Sequence, residues 1–217
     1  GLSESSAAAV ANPLQGEKKP GSIGLPLPQT EVKLVSLPDA NTPVSLEGEI
    51  CLRGPQIMKG YWNRPEETDK VFYPGGWLRT GDIGRMDSDG YIAIVGREKD
   101  MIIASGLKVF PRKVEEAILK HEAIEDVAVI GVKDEKLGEN VKAFIVLKEG
   151  KTVTDKELDT FLRDYLAAYE VPKIVERRAA LPLTLIGKPD KKALKKEQEA
   201  LEAKIAANDE GSRPSKK

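Results

Sequence analysis

Residues 90–121 read GYIAIVGREKDMIIASGLKVFPRKVEEAILKH, and the texture of the chain changes in the middle of them. The run YIAIVG follows the turn signal DSDG at Asp87–Gly90, and IGRM precedes it, so the spacing predicts a β-hairpin. Gly96-Arg97-Glu98-Lys99-Asp100 is a charged joint. Beyond it, MIIAS (101–105) reads as a short strand and PRKVEEAILKH (111–121) as a helix. That helix has Pro at its first turn and carries Val114 and Ile118 on one face. Before the joint the chain is strands and turns; after it, helices alternate with strands. The expected fold class is therefore α+β: a β-barrel-like subdomain, then a small α+β domain with a central sheet flanked by helices. The expected boundaries are 1–98, 99–195 and a helical to disordered tail at 196–217.

Working outward, residues 1–29 hold Pro13, Gly16, Pro20, Gly21, Gly24, Pro26 and Pro28, a density that excludes a long helix. EVKLVS (31–36) and EICLR (49–53) alternate as strands, and PEETDKVF (65–72) reads as a short helix with acidic residues near its start. DVAVIGV (126–132) and KAFIVL (142–147) are apolar, β-rich runs. Thr154 and Glu157 make a capping-box pattern. The helix it opens is expected to run to residue 169, with Leu158, Phe161, Leu162, Tyr165, Leu166 and Tyr169 on its core face and Pro172 beyond its end. IVERRAAL (174–181) fits an edge strand, a last helix is expected from Pro189, and NDEGSRPSKK is expected to be a disordered polar tail.

Composition excludes several function classes. Of 217 residues, 40% are hydrophobic and 32% charged, which describes a soluble globular chain. Aromatic residues are 5%, too few for a base-stacking nucleic-acid surface, and the net charge of -1 gives no general attraction to nucleic acid or anionic membrane. One Cys forbids an intramolecular disulfide, and one Cys with one His cannot build a His/Cys zinc site. The sequence has no apolar run long enough to span a bilayer and no leader, which points to the cytoplasm. It opens on Gly1 rather than Met, as expected for part of a longer protein.

Individual residues with chemical potential each have a plain alternative. His121 ends a helix, where a surface or capping role competes with that of a general base. Cys51 alternates with Ile50 and Leu52 and lacks an evident base. GLSESS at the start is a small-residue loop or a flexible end. Asp82 lies in RTGDIG, where a carboxylate between glycines can accept two sugar hydroxyls or simply form an Asx-turn. Lys188, between Gly187 and Pro189, can carry a point charge to a phosphate; it also begins the basic run Lys188, Lys191, Lys192, Lys195 and Lys196.

The order of the motifs is more informative than any one of them. GLSESS, GEICLRGPQIMKGYW, GWLRTGDIG, GYIAIVGREKDMIIASG and LPLTLIGKPDKKAL follow one another down the chain. This order resembles the adenylate-forming (AMP-binding) superfamily, and within it the C-terminal part of AMP-forming fatty-acyl- or medium-chain-acyl-CoA ligases, over roughly residues 1–195. The resemblance implies that Ser3 contacts the AMP phosphate and Glu4 helps hold Mg²⁺. It implies that Asp82 holds both ribose hydroxyls, that Arg97 also contacts the ribose, that Lys99 is the hinge, and that Ser105 and Gly106 line the pantetheine tunnel. It makes Lys188 the catalytic lysine between the acid's carboxylate and the α-phosphate.

The implied reaction joins a carboxylate to ATP as acyl-AMP, then passes the acyl group to coenzyme A after the small domain rotates about Lys99. The implied cofactors and partners are ATP/AMP, Mg²⁺, CoA, a fatty or other carboxylic acid, and the missing N-terminal part of the large domain; a homo-oligomer is compatible. The superfamily's Ser/Thr/Gly-rich phosphate loop is not in this sequence, so the chain alone is expected to be inactive, and residues 1–29 are expected to be exposed or disordered. Two alternatives stand beside the ligase: a truncated, non-catalytic binding module, and an adenylating enzyme that loads a carrier protein.

Overall fold

The computed structural model describes residues 1–36, 47–134 and 138–211. The chain divides into two compact units, Gly1–Lys99 and Asp100–Lys217.

The first unit is built on antiparallel strands. A ribbon of β1 (Val10–Ala11) and β2 (Leu25–Pro26) precedes β3 (Glu31–Val35) and β4 (Glu47–Arg53). Helix α1 (Pro65–Lys70), with Pro65 at its first position, leads to β5 (Phe72–Tyr73), β6 (Trp77–Met86) and β7 (Ile92–Arg97). These form a five-stranded sheet in the order β3-β4-β6-β5, with β7 also on β6, and the sheet does not close into a barrel. The hairpin at DSDG is present. Asp87 Oδ1 accepts the N–H groups of Asp89 (3.0 Å) and Tyr91 (2.9 Å), so the Asx-turn is at Asp87.

Residues 1–29 depart from expectation. Ala9 is buried, and Leu2, Val10 and Ile23 pack with Leu34, Ile50, Leu52 and Ile92 in one core. A bridge between Gly24 and Ile92 fastens the ribbon to β7, and Lys19 Nζ reaches Asp87 (2.7 Å) and Asp89 (2.6 Å) on the hairpin turn. The ribbon therefore finds its partners within its own unit. Among the large apolar side chains of residues 1–29, Leu14 alone, 94% exposed, behaves as the exposed apolar surface that was expected.

The second unit opens with the short hairpin β8 (Ile102–Ala104) and β9 (Leu107–Val109), then α2 (Pro111–Ile118), β10 (Ile124–Asp134) and β11 (Gly138–Leu147). Helix α3 (Asp155–Leu162), strand β12 (Ile174–Arg177) and helix α4 (Lys191–Gly211) follow. β11 pairs antiparallel with β10 and parallel with β12, as befits the expected edge strand. Alternation along β10 and β11 sorts the side chains to two faces. Val127, Val129, Val141, Ala143 and Ile145 meet Val114, Ile118, Leu158 and Leu162 of α2 and α3. Ala128, Ile130, Val132 and Phe144 meet Leu181 and Leu194, and full burial of Leu194 seats α4 at a gain of roughly 1.5–3 kcal/mol.

α3 is shorter than its periodicity suggested. It has its capping box, with Thr154 Oγ1 accepting from Glu157 N, but it ends at Leu162. The chain then tightens into three-residue turns, and the Glu170 carboxylate accepts the Ala167 N–H at 2.9 Å. This turn buries Leu166 and Val171 but leaves Tyr165 and Tyr169 exposed, against their expected place on the core face. α4 starts at Lys191, two residues after Pro189, and continues to Gly211; residues 212–217 of the expected tail lie outside the described residues.

Candidate functional site

The RTGDIG segment owes its shape to a bulge. Glu49 on β4 faces Ile83 on β6, while Cys51 faces Arg79, so Thr80, Gly81 and Asp82 stand opposite Ile50 alone. Gly81 takes φ +68, which a glycine adopts without steric cost. Thr80 Oγ1 donates to Ile50 O (2.7 Å) and accepts from Asp82 N (3.1 Å), holding the bulge from within. Asp82 is thereby aimed at its cross-strand neighbour Arg97 on β7, with Arg97 Nε 3.1 Å from Asp82 Oδ1. The Asx-turn alternative at Asp82 gives way to this ion pair. The carboxylate is 12% exposed and has acceptor capacity beyond the one guanidinium contact.

Beneath the bulge lies a residue the sequence reading missed. Glu49 is 0% exposed. Its carboxylate accepts from Gly81 N (3.1 Å), Tyr73 Oη (2.9 Å) and Arg79 Nε (3.2 Å). Burial and the Glu49 carboxylate together push the Tyr73 hydroxyl pKa upward. Glu49 falls on the off-core phase of an alternating strand, which reads as solvent-facing; only its distant partners reveal its burial.

Ser3 and Glu4 lie in a short 3₁₀ turn, Ser3–Ser5, with Ser3 exposed and Glu4 half-buried. The loop is stapled to the segment GPQIMKGYW: Met58 N donates to Glu4 O (2.8 Å), Ser6 Oγ to Gln56 O (2.9 Å), and Tyr61 Oη to Glu4 Oε1 (2.8 Å). That last bond raises the Tyr61 pKa. Among the described residues no group of three or more His, Cys, Asp or Glu could by itself hold a metal. One carboxylate suits Mg²⁺, which keeps several waters and takes further oxygens from substrate phosphates. The uncontacted Oε2 of Glu4 fits that donor set.

Ser105 and Gly106 form the two-residue turn between β8 and β9, with φ values of 52 and 78, a type I′ pattern. Both are exposed, and a Cβ on Gly106 would meet nothing within 4 Å, so backbone conformation accounts for the glycine here. Lys99 is exposed in the 3₁₀ turn Glu98–Asp100, and the division between the two units falls directly after it.

Lys188 is exposed at the tip of a clipped loop. Thr184 N donates to Lys188 O (2.7 Å), and Lys188 N donates to Thr184 Oγ1 (3.2 Å). Lys188 makes no ion pair among the described residues, whereas Lys191 pairs with Glu115 at 2.7 Å. The basic run is therefore not one uniform solvated stretch. The structure brings Asp82 and Arg97 together in the first unit, with Ser3, Glu4 and Lys99 elsewhere in that unit; Ser105, Gly106 and Lys188 belong to the second.

His121 takes its plain role: Nδ1 accepts from Ala123 N (3.2 Å), and the ring meets Phe161 edge-on at 4.9 Å. Cys51 is buried, and burial pushes its thiol up to about 12, which makes it a poor nucleophile. No helix among the described residues is long and apolar enough to cross a membrane.

Residues 1–62 match the AMP-binding enzyme family, and residues 113–188 match the AMP-binding enzyme C-terminal domain. A long-chain-fatty-acid–CoA ligase of Bacillus subtilis (strain 168) is 49% identical over 199 residues, 91% of this chain and 35% of that protein. A mitochondrial medium-chain acyl-CoA ligase of Rattus norvegicus is 38% identical over 84% of this chain and 30% of that protein. The chain thus spans about a third of the length of these curated relatives. Among solved structures, ATP-bound MatB from Rhodopseudomonas palustris superposes with a TM-score of 0.83 at 33% identity, over 92% of this chain and 39% of that one. The o-succinylbenzoate CoA synthetase MenE of Bacillus subtilis, in complex with the acyl-adenylate OSB-AMP, gives 0.79 at 33% identity, over 90% and 40%. With matches to both parts of the family in chain order and relatives of this kind, the chain belongs to the AMP-binding, adenylate-forming enzymes, in the acyl-CoA ligase family.

Proposed function

We propose that this chain carries the ribose-binding, hinge and lysine-bearing portion of an ATP-dependent, AMP-forming ligase that joins a fatty acid to coenzyme A. The observation that carries the reading is the Asp82–Arg97 pair on the Gly81 bulge: a largely enclosed carboxylate with unused acceptor capacity. Such a group accepts the two hydroxyls of a ribose. An acid oxygen attacks the α-phosphorus of ATP, a P–O bond to the leaving group breaks, and acyl-AMP and pyrophosphate form. Lys188, with no ion pair among the described residues, is available to stabilise the developing phosphoryl charge. Mg²⁺ held through Glu4 supplies Lewis-acid stabilisation of the phosphates when bound. In the second step the CoA thiol attacks the acyl carbon, AMP leaves and the thiol proton passes to solvent. Rotation about Lys99 exchanges the Lys188 loop for the Ser105–Gly106 turn between the two steps.

The test joins this chain to the part of the Bacillus subtilis ligase that precedes its matched segment and follows fatty-acid-dependent ATP–pyrophosphate exchange. Exchange that falls about 100-fold or more in Lys188→Ala is the expected result. Exchange indifferent to that substitution overturns the assignment and favours a non-catalytic binding module.

A further inference from the structure

The Glu49 carboxylate and the Arg79 guanidinium make a relay that leaves the bulge at one end and reaches the hinge at the other. Glu49 Oε1 accepts the Gly81 N–H at 3.1 Å, immediately before Asp82. Arg79 Nε contacts both Glu49 oxygens, at 3.3 and 3.2 Å, and its Nη2 donates to Glu98 Oε2 at 3.0 Å. Glu98 is the residue before Lys99 and opens the 3₁₀ turn there. Tyr73 closes the assembly: its hydroxyl donates to Glu49 at 2.9 Å, and the Arg79 guanidinium lies 4.8 Å from its ring centroid.

Stability alone is a weak reason for such an arrangement. A fully buried carboxylate is costly unless paired and hydrogen-bonded, and an apolar side chain could fill the same space. Glu49 is fully supplied, with a backbone donor, a phenol and a guanidinium. An arginine is suited to the bridging position because its planar fork can serve two carboxylates at once, which a lysine's point charge does less well.

We infer that Arg79 is a positioning residue that couples the Asp82 bulge to the hinge turn at Glu98–Lys99, with Glu49 as the buried anchor between them. The inference rests on the proposed role of Asp82 in nucleotide binding, but the mechanical link itself can be tested without nucleotide. A displacement of the bulge is passed through Glu49 and Arg79 to Glu98, so nucleotide occupancy stiffens the backbone at Lys99.

Hydrogen exchange of backbone amides in the 217-residue chain tests this, with Glu98→Gln and Arg79→Lys as variants. Glu98 is 38% exposed in its side chain, so Glu98→Gln spares the core even where a change at Arg79 perturbs folding. Without ligand, exchange at Glu98 and Lys99 is expected to rise about fivefold in Glu98→Gln, with Asp82 and Ile83 unchanged. Arg79→Lys raises exchange at both segments. Saturating AMP is expected to slow exchange at both segments in the native chain and only at Asp82 and Ile83 in Glu98→Gln. Unchanged exchange at Lys99 in ligand-free Glu98→Gln overturns the relay, as does AMP protection of Lys99 that survives the substitution. Absence of AMP protection at Asp82 counts against the ribose assignment alone, because the ligand-free comparison still decides the relay.

Discussion

Asp82 and Arg97 oppose each other across β6 and β7, and the pair is asymmetric: the carboxylate is 12% exposed and the guanidinium 54%. The enclosed partner is the acceptor, and the solvated partner is always charged. An ion pair this open contributes at most about 1 kcal/mol to folding. The arrangement is therefore better explained by holding a carboxylate ready for hydroxyl donors than by stability.

It follows that Asp82→Ala separates binding from folding. Urea unfolding of the first unit should shift by no more than about 1 kcal/mol. In the joined enzyme the KM for ATP should rise about 10- to 100-fold, the loss of one or two hydrogen bonds to a charged acceptor. A KM that stays put while the unfolding midpoint collapses would make Asp82 a structural residue.

The Ser105–Gly106 turn offers a second separation. Gly106 has φ +78 and open space around its missing Cβ, so Gly106→Ala costs backbone strain without a clash, about 1 kcal/mol. If this turn serves CoA, the substitution slows thioester formation and leaves ATP–pyrophosphate exchange intact. Stopped-time assays of both half-reactions check this, and an equal loss in both dissociates the turn from the thiol step.

Some of this architecture was legible in the residues and some was not. The Asp87–Gly90 turn and the strands β10 and β11 announce themselves through local chemistry: an Asx-turn, and continuous apolar runs that suit strands covered on both faces. The motif order named Asp82 and Arg97, but their pairing depends on the bulge, which arises from β4 and β6 jointly. Glu49 escaped because its buriers, Tyr73 and Arg79, lie 24 and 30 residues away. Residues 1–29 escaped for a similar reason. Their Gly and Pro content correctly excludes helix, yet gives no hint of the bridge from Gly24 to Ile92 or of the Lys19 contacts to the hairpin turn. Past the end of α3 the Glu170 carboxylate takes the Ala167 N–H from three residues away, a local side-chain competitor that hydrophobic periodicity does not register.

Cys51 gives a direct readout of the first unit. Its thiol is buried within β4 and held up to about 12 by that burial, with the Glu49 charge adding to the shift. At pH 8 a disulfide exchange reagent should leave the native chain unlabelled over minutes and modify it at once in strong denaturant. Because modification requires opening of the sheet, the labelling rate at low urea reports the opening free energy of this unit independently of the second. Rapid native labelling would show that the β4 core is loosely held.

Glu115 supplies the pH dependence of the second unit. It projects from α2, accepts the Val129 N–H at 2.7 Å and pairs with Lys191 at the start of α4 at 2.7 Å. Burial raises its pKa above the ordinary 4.5, and Lys191 only partly offsets the effect. The sign follows from proton uptake: the folded unit holds this proton to higher pH than the unfolded chain does. The associated stability is thus full below 4.5 and is lost as the pH rises through the folded-state value. Glu115→Gln keeps an acceptor for Val129 but cannot ionise, so its stability relative to the native chain should improve steadily with pH across that window. The same substitution releases Lys191, three residues beyond Lys188, and frees the base of the loop that carries Lys188. In the joined enzyme it should therefore lower kcat for ATP–pyrophosphate exchange several-fold while KM for ATP holds. A flat stability difference between pH 4 and 7, measured by urea unfolding, would remove Glu115 as the titrating group.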